Sequence, residues 1–127
     1  MPEGKHILVV EDDRFLSSLI KARLEKDGFF VGQAFDGEEG RQYLKKGHPD
    51  LIVLDLIMPK VPGFQLLEEI SLDPNLSRIP VVILSNLAQE SDVMKAKQLG
   101  AVEYFVKVRV SIDDLIKRIK DLLISGK

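Results

Sequence analysis

The chain has 127 residues, 45% of them hydrophobic and 30% charged with both signs mixed, and its formal net charge at pH 7 is −2. These values are typical of one globular domain with a sizeable core, and they argue against disorder and against a surface built mainly to bind nucleic acid. The absence of cysteine excludes disulfides and thiolate sites, and His6 and His48 are too far apart in sequence, with no further nitrogen ligand near either, to favour a zinc site.

The first half of the chain predicts three strands and two helices. Residues 7–10 form an apolar, β-branched run that is typical of a strand buried on both faces. A helix is predicted next, with Gly28 in the position of a C-terminal cap, from an apolar stripe at helical spacing: Phe15, Leu16, Leu19, Ile20 and Leu24. Residues 29–34, with a glycine inside, are a weaker strand, expected at an edge of the sheet. A helix over 37–46 and a buried strand over 51–54 follow.

The second half continues the same alternation. A helix is predicted after Gly63, a buried strand over 81–84, a helix that ends at Gly100, and a buried strand over 102–106. The last helix starts at a capping box formed by Ser111 and Asp114. Five strands that alternate with five helices predict an α/β fold with a mostly parallel sheet and right-handed crossovers.

Polar residues follow four of the predicted strands at the point where each strand ends. In folds of this kind, ligands bind beyond the carboxyl ends of the strands, so these residues should meet at one edge of the sheet. They are Glu11, Asp12 and Asp13 after the first strand, Asp55 after the third, Ser85 after the fourth and Lys107 after the fifth.

This set of residue types suits phosphoryl chemistry on a metal ion. Two carboxylates 5 Å apart repel by roughly 3 kcal/mol at an effective dielectric constant near 20, so such a cluster raises a carboxyl pKa or binds a cation. Ligands that are all oxygen favour Mg²⁺ or Mn²⁺. A carboxylate can attack phosphorus, and Lys107 and Ser85 are suitable partners for the phosphoryl oxygens. Each residue alone is more often a helix cap or a solvated side chain, and Asp13 is expected to cap the first helix; the joint occurrence favours the site.

The residues resemble the receiver domain of bacterial two-component response regulators, of the chemotaxis-regulator type. The resemblance covers about residues 5–123 and is carried by four motifs in order: 9–13 (VVEDD), 54–59 (LDLIMP), 84–85 (LS) and 104–107 (YFVK). It implies a doubly wound (βα)5, flavodoxin-like, three-layer sandwich with a parallel sheet of order 2-1-3-4-5. The whole chain, 1–127, is expected to be a single receiver domain.

The resemblance also implies an acceptor and a metal site. Asp55 would be the phosphoacceptor. Glu11 and Asp12 would be the acidic pair, with Asp12 the direct ligand of Mg²⁺ (or Mn²⁺) and Glu11 acting through water. The backbone carbonyl of Ile57 would be a further ligand.

Three further residues receive roles from the same resemblance. Lys107 would pair with Asp55 before transfer and with a phosphoryl oxygen afterwards. Ser85 would supply the hydroxyl that moves towards the phosphoryl group. Tyr104 would be the aromatic switch that rotates inward as Ser85 shifts, although an ordinary half-buried strand aromatic is the alternative.

The implied function is a phosphorylation-controlled switch and not an enzyme: a phosphoacceptor that promotes its own phosphotransfer and slow dephosphorylation. A sensor histidine kinase or phosphotransfer protein would be the donor, an unidentified target would follow, and phosphorylation-linked dimerisation is compatible with this scheme. Residues 1–5 lack the apolar stretch of a signal peptide, and no apolar run reaches the ~20 residues of a membrane span. A cytoplasmic protein without a membrane or nucleic-acid partner is therefore expected.

Three positions depart from the family pattern. Val108 replaces the proline that usually follows the lysine; because a cis bond before a non-proline residue costs roughly 2.5–4 kcal/mol, a trans bond and a different loop are expected, which puts the reach of Lys107 in question. Asn86 stands where a small residue is usual and could crowd the site. Val61 and Pro62 precede Gly63 in place of the usual Asp-Gly ending.

Two apolar side chains predict a long-lived phosphoryl group. Ile57 lies two residues after Asp55, and Leu87 lies two residues after Ser85. Both should overhang the site, and neither can orient an attacking water. The aspartyl phosphate is therefore expected to be on the slow side for the family.

Three other functions are weaker candidates. An aspartate-nucleophile phosphatase would carry Asp-x-Asp after its first strand, whereas Asp55 follows the third and has Ile57 two residues on. A flavodoxin-like cofactor binder would need a phosphate loop where Glu11 and Asp12 would repel phosphate. A degenerate receiver used only for protein contacts would not need the complete set of charged residues.

Overall fold

The computed structural model describes residues 4–125; residues 1–3 and 126–127 of the predicted domain lie outside the described residues. Strands and helices alternate strictly along this range. The elements are β1 (His6–Val10), α1 (Arg14–Lys26), β2 (Phe30–Ala34), α2 (Gly37–Lys46), β3 (Leu51–Leu54), α3 (Gly63–Leu72), β4 (Val81–Ser85), α4 (Glu90–Gln98), β5 (Glu103–Val106) and α5 (Ile112–Ser125).

The five strands form one parallel sheet in the order β2-β1-β3-β4-β5. The predicted class, topology and edge position of β2 are therefore confirmed. The three central strands are buried along almost their whole length, because helices cover both faces of the sheet. The prediction that 102–106 is buried on both faces is wrong: β5 is the second edge strand, and all four of its residues are half-buried.

Alternate residues of the strands face two separate hydrophobic cores. Leu8, Ile52 and Ile83 belong to a cluster that also contains residues of α2, α3 and α4. Their neighbours in the strands face the other side, where α1 and α5 contribute residues such as Ile20 and Ile119. This alternation with period two produces the three layers: helices, sheet, helices.

Side chains and glycines at the helix ends match the predicted boundaries closely. The Asp13 carboxylate accepts a hydrogen bond from the Leu16 amide at 3.1 Å and caps α1, as expected. Ser111 Oγ accepts from the Asp114 amide at 3.0 Å at the start of α5. Gly28 and Gly100 follow α1 and α4 with φ angles of +96° and +103°, which glycine adopts without strain.

Two residues of the predicted apolar stripe, both in the first half of α1, are exposed. Phe15 is 81% exposed and Leu19 is 40% exposed, so the buried face of the helix consists mainly of Ile20 and Leu24. Within residues 4–125, no helix combines the length and the apolar character that crossing a membrane requires.

Candidate phosphoacceptor site

Backbone pairing brings the polar residues at the strand ends together. The Glu11 amide donates to the Ala34 carbonyl at 2.9 Å, and the Asp55 amide donates to the Val10 carbonyl at 3.0 Å. Between β4 and β5, at the other end of the strand order, the Lys107 amide donates to the Ser85 carbonyl at 3.0 Å. These bonds continue the hydrogen-bond ladders of the parallel sheet by one residue beyond the strands. The polar residues at the strand ends therefore lie at one edge of the sheet.

Three carboxylates form an acidic cluster at this edge. Oxygens of Glu11, Asp12 and Asp55 all lie within 4.8 Å of one another. Glu11 and Asp55 are buried, 1% and 3% exposed, whereas Asp12 is exposed at the mouth of the cluster. Two buried carboxylates and one accessible carboxylate at this spacing provide the oxygen ligands that a hard divalent cation prefers.

Lys107 reaches the acidic cluster. Its Nζ lies 2.9 Å from Asp55 Oδ2 and 2.8 Å from Glu11 Oε1. Burial opposes the positive charge, but the two carboxylates outweigh it and hold the pKa of Lys107 above its ordinary value. The lysine therefore remains a cation that partly neutralises the cluster.

The residue after Lys107 does not prevent this reach. Each peptide bond in the described range is trans, including the bond between Lys107 and Val108, as predicted. The Val106 carbonyl accepts from the amides of Arg109 and Val110, at 2.9 and 3.1 Å, and closes a turn without proline. Val108 is 80% exposed at this turn, outside the charged site.

Glu11 is the most perturbed acid of the site. Burial, reinforced by the charge of Asp55, raises the pKa of Glu11 to about 7, although Lys107 and the Asp13 amide act in the opposite direction. Oε2 accepts from the Asp13 amide at 3.0 Å. Oε1 is buried and forms an ion pair with Lys107, and within the described range it has no other polar partner. Such an oxygen can accept from a water or approach a cation.

Asp55 is held by both of its carboxylate oxygens. Oδ2 pairs with Lys107, and Oδ1 accepts from the Ile57 amide at 3.2 Å. The Ile57 amide therefore faces the Asp55 carboxylate, while the Ile57 side chain is 54% exposed. The segment after Asp55 closes on itself, because the Gly63 amide donates to the Leu56 carbonyl at 3.1 Å.

Ser85 and Tyr104 are linked through one backbone position. Ser85 is fully buried as the last residue of β4, and its Oγ accepts from the Leu87 amide at 3.3 Å. The Tyr104 hydroxyl donates to the Leu87 carbonyl at 2.6 Å. Burial raises the pKa of Tyr104, with smaller contributions from Asp92 and Asp55, so the phenol stays protonated and able to donate.

Comparison with known proteins assigns the family. The model of the family described as "Response regulator receiver domain" matches residues 7–120, nearly the whole described range. The chain belongs to this family. The receiver domain is similar to the DNA-binding dual master transcriptional regulator RpaA of Synechocystis, with 36% identity over 117 residues that cover 92% of this chain and 48% of that protein.

Two solved structures are similar to this chain in fold as well as in sequence. The phosphorylated cyanobacterial phytochrome response regulator RcpA superposes with a TM-score of 0.86 and 33% identity over 97% of this chain and 96% of that one. The Mn²⁺-bound form of the response regulator Rcp1 superposes with a TM-score of 0.81 and 33% identity over 93% of this chain and 91% of that one. The receiver domain spans about half the length of the curated relatives it matches.

Sequence reasoning missed two contacts of this receiver domain. The ion pair of Lys107 with Glu11 joins residues far apart in the chain, and the Leu87 carbonyl that binds Tyr104 is a backbone group without a sequence signal. The position of Leu87, two residues after the predicted hydroxyl Ser85, was the available hint.

Proposed function

We propose that this receiver domain accepts a phosphoryl group on Asp55, in a reaction that requires Mg²⁺ or Mn²⁺, and changes conformation as a result. The observation that supports this most directly is the contact of Lys107 Nζ with Asp55 Oδ2 beside the acidic cluster. A buried carboxylate placed between a cation and a metal-binding cluster is suited to nucleophilic attack on phosphorus.

The proposed transfer forms one bond and breaks one bond. A carboxylate oxygen of Asp55 attacks the phosphorus of a phosphohistidine on a sensor histidine kinase or phosphotransfer protein. The nitrogen–phosphorus bond breaks, its electron pair returns to the imidazole, and an acyl phosphate remains on Asp55. Lys107 exchanges its contact with the carboxylate for one with a phosphoryl oxygen and stabilises the charge there.

The donor set fits a divalent metal ion, which would neutralise the phosphoryl oxygens. Asp12, the exposed carboxylate, is the proposed direct ligand together with Asp55. Glu11, whose Oε2 already accepts from Asp13, is proposed to act through water at Oε1. The carbonyl of Ile57 is the proposed further ligand by resemblance to the family; the Ile57 amide, which belongs to the preceding peptide unit, donates to Asp55 Oδ1. The Mn²⁺-bound form of Rcp1 supports metal binding by similarity.

Ser85 and Tyr104 are the proposed switch. A shift of the Ser85 hydroxyl towards the phosphoryl group would move Leu87, because Oγ accepts from the Leu87 amide. Because the Tyr104 hydroxyl donates to the Leu87 carbonyl, a movement of Leu87 would also shift or break this hydrogen bond. The downstream target and any phosphorylation-linked dimer would then recognise the altered surface.

We treat residues 1–127 as one receiver domain that acts as a phosphoacceptor and not as a turnover enzyme. Two cores on the faces of one sheet, spanning about residues 5–123, support this extent. The net charge of −2 gives no support to DNA binding by this segment, although RpaA is a DNA-binding protein.

Intact mass measured after incubation with Mg²⁺ and acetyl phosphate tests the proposal. One phosphoryl group should be gained with Mg²⁺ and none with EDTA. Asp55→Asn is the matched control and should gain none, because its amide is a poor nucleophile. A folded wild-type protein that binds Mg²⁺ but gains no mass would favour a degenerate receiver and direct attention to Asn86.

A further inference from the structure

The loop after the acceptor is enclosed by two glycines. We call residues 56–62, between β3 and α3, the acceptor loop; it includes Ile57. Gly63, the first residue of α3, lies against the start of this loop, and Gly37, the first residue of α2, lies against its end. Neither glycine has a positive φ angle. Each position therefore requires glycine because there is no space for a side chain, and not because of the backbone conformation.

Gly63 contacts the backbone of the acceptor itself. A Cβ at this position would fall 2.5 Å from Leu56 Cα and 2.9 Å from the Asp55 carbonyl carbon, and closer still to the Asp55 carbonyl oxygen. These atoms are backbone, so no side-chain rotation could relieve the overlap. The Gly63 amide also donates to the Leu56 carbonyl at this contact.

Gly37 holds the far end of the loop in the same way. A Cβ there would fall 2.7 Å from the Val61 carbonyl carbon, 2.6 Å from Val61 Cβ, and closer still to the Val61 carbonyl oxygen. Gly37 lies on a different element from the proposed site residues, and the three atoms nearest to a Cβ at this position all belong to Val61. Its effect on the site must therefore pass through the loop.

The loop between these contacts has a constrained shape. Lys60 has a φ angle of +70°, a conformation that side chains other than glycine adopt at a cost. Its Nζ lies 3.6 Å from Asp36, the buried residue that caps α2 immediately before Gly37. The start of α2 thus fixes the loop by a close backbone contact and by an ion pair.

We propose that Gly37 and Gly63 are positioning residues for phosphoryl transfer: their missing side chains allow the loop to place the Ile57 amide against Asp55. This inference rests on the proposed function. A methyl group at Gly37 would displace the loop or α2 by about 1 Å, and a misplacement of that size costs about 10²-fold in rate when it reaches reacting groups.

The test compares Gly37→Ala with two variants of the same helix. Gly40→Ala adds the same methyl group against side chains only, the nearest being Leu66 Cδ2 at 3.1 Å. Leu44→Ala lowers stability through a cavity in the core, seven residues along α2 from Gly37. Mn²⁺ affinity is measured from the free-ion electron paramagnetic resonance signal, and the rate of phosphorylation by acetyl phosphate is measured at equal Mn²⁺ occupancy.

Gly37→Ala should weaken Mn²⁺ binding at least tenfold and should slow phosphorylation further, whereas both control variants should stay within about twofold of wild type. Hydrogen exchange provides a readout without metal. The Gly63 amide, bonded to Leu56, should exchange faster in Gly37→Ala than in Leu44→Ala when the two are compared at equal global stability. Equal Mn²⁺ affinity and equal exchange in these variants would overturn the proposal.

Two further measurements distinguish a failure of the positioning role from a failure of folding or of the proposed function. If Gly37→Ala does not fold, Gly37→Ala combined with Lys60→Gly gives the loop freedom to move aside and should fold with the same loss of Mn²⁺ affinity; wild-type affinity in that folded variant would overturn the positioning role. If the wild type itself binds no Mn²⁺, the proposed function fails, while the exchange of the Gly63 amide still decides whether Gly37 positions the loop.

Discussion

At the level of single residues, Glu11 couples the site to pH. An ordinary glutamate has a pKa of 4.5, but burial raises the pKa of Glu11 to about 7 in the folded protein. Between these values the folded state binds more protons than the unfolded state. The free energy of unfolding therefore falls as pH rises through this window: the contribution of Glu11 is complete below pH 4.5 and lost above about pH 7.

Glu11→Gln should remove this contribution in metal-free protein. The wild type should lose stability between pH 5 and 8, by on the order of 3 kcal/mol at most, since one pKa unit corresponds to about 1.4 kcal/mol. The variant should show a flatter pH profile and a higher urea midpoint than wild type at pH 8. Urea unfolding in EDTA measures both, with the exposed Glu68→Gln as control. Parallel profiles for wild type and Glu11→Gln would contradict this assignment.

The same carboxylate makes the acidic cluster destabilising when no cation is bound. Asp55 lies beside it, and Lys107 neutralises only part of the combined charge. A variant with a neutral residue at position 11 is thus expected to trade metal affinity for stability, which is a common relation at functional sites.

At the level of elements, the loops after β3 and β4 set the environment of the proposed acyl phosphate. Ile57 is exposed at the rim, whereas Leu87 is half-buried and packs against the core on the side of α2, α3 and α4. Of the two apolar residues that prompted the prediction of a long-lived phosphoryl group, Ile57 is therefore the one with access to an approaching water.

The phosphorylated wild type should lose its phosphoryl group slowly, and Ile57→Asn should lose it several-fold faster, because an amide can orient the attacking water. Intact mass followed over time after removal of acetyl phosphate gives both rates. Ile57→Val, which keeps the side chain apolar, is the control and should behave as wild type. Loss within seconds from the wild type would disprove the prediction.

Most element boundaries could be predicted from the sequence because local patterns determine them. The 51–54 run and the 37–46 helix match the structure residue for residue, and the buried strands begin or end within one residue of prediction. Periodicity alone could not show that Phe15 would be exposed, since the spacing of apolar residues gives a face of the helix but not how much of that face the sheet covers.

The residues of the candidate site could be predicted from the sequence, but the contacts between them could not. The rule that ligands bind beyond the carboxyl ends of parallel strands predicted that Asp55, Ser85 and Lys107 lie at one edge of the sheet. The strand order itself came from the family resemblance, and no local pattern shows that Lys107, after β5, reaches Glu11, after β1, across two intervening strands. The close approach of Gly37 to Val61 joins the start of α2 to the loop after β3, and no local pattern relates the two.

At the level of the whole molecule, the two cores are closed by different sets of helices. On one face of the sheet, α1 and α5 pack side by side, and Arg23 on α1 lies 2.7 Å from Asp113 on α5. Because both partners of this ion pair are at least one-third exposed, packing of apolar side chains such as Ile119 supplies most of the stability there.

Ile119→Ala should lower the free energy of unfolding by about 2–5 kcal/mol, since Ile119 is fully buried between α5 and the sheet. Ile124→Ala, on the same helix but 60% exposed, should change it by less than about 0.5 kcal/mol. Urea unfolding curves of the two variants provide the measurement. Equal midpoints would show that α5 does not pack on the sheet as described.

The closure of one face by the first and last helices also bears on synthesis. Ile20 and Leu24 are translated early, whereas Leu115 and Ile119, which cover the same face, are translated only after the other elements of the domain. Until α5 is complete, the growing chain presents one apolar side of its sheet to the surroundings, as an incomplete domain does. A translational pause or premature stop before Ile112 would therefore produce a species prone to aggregation and degradation.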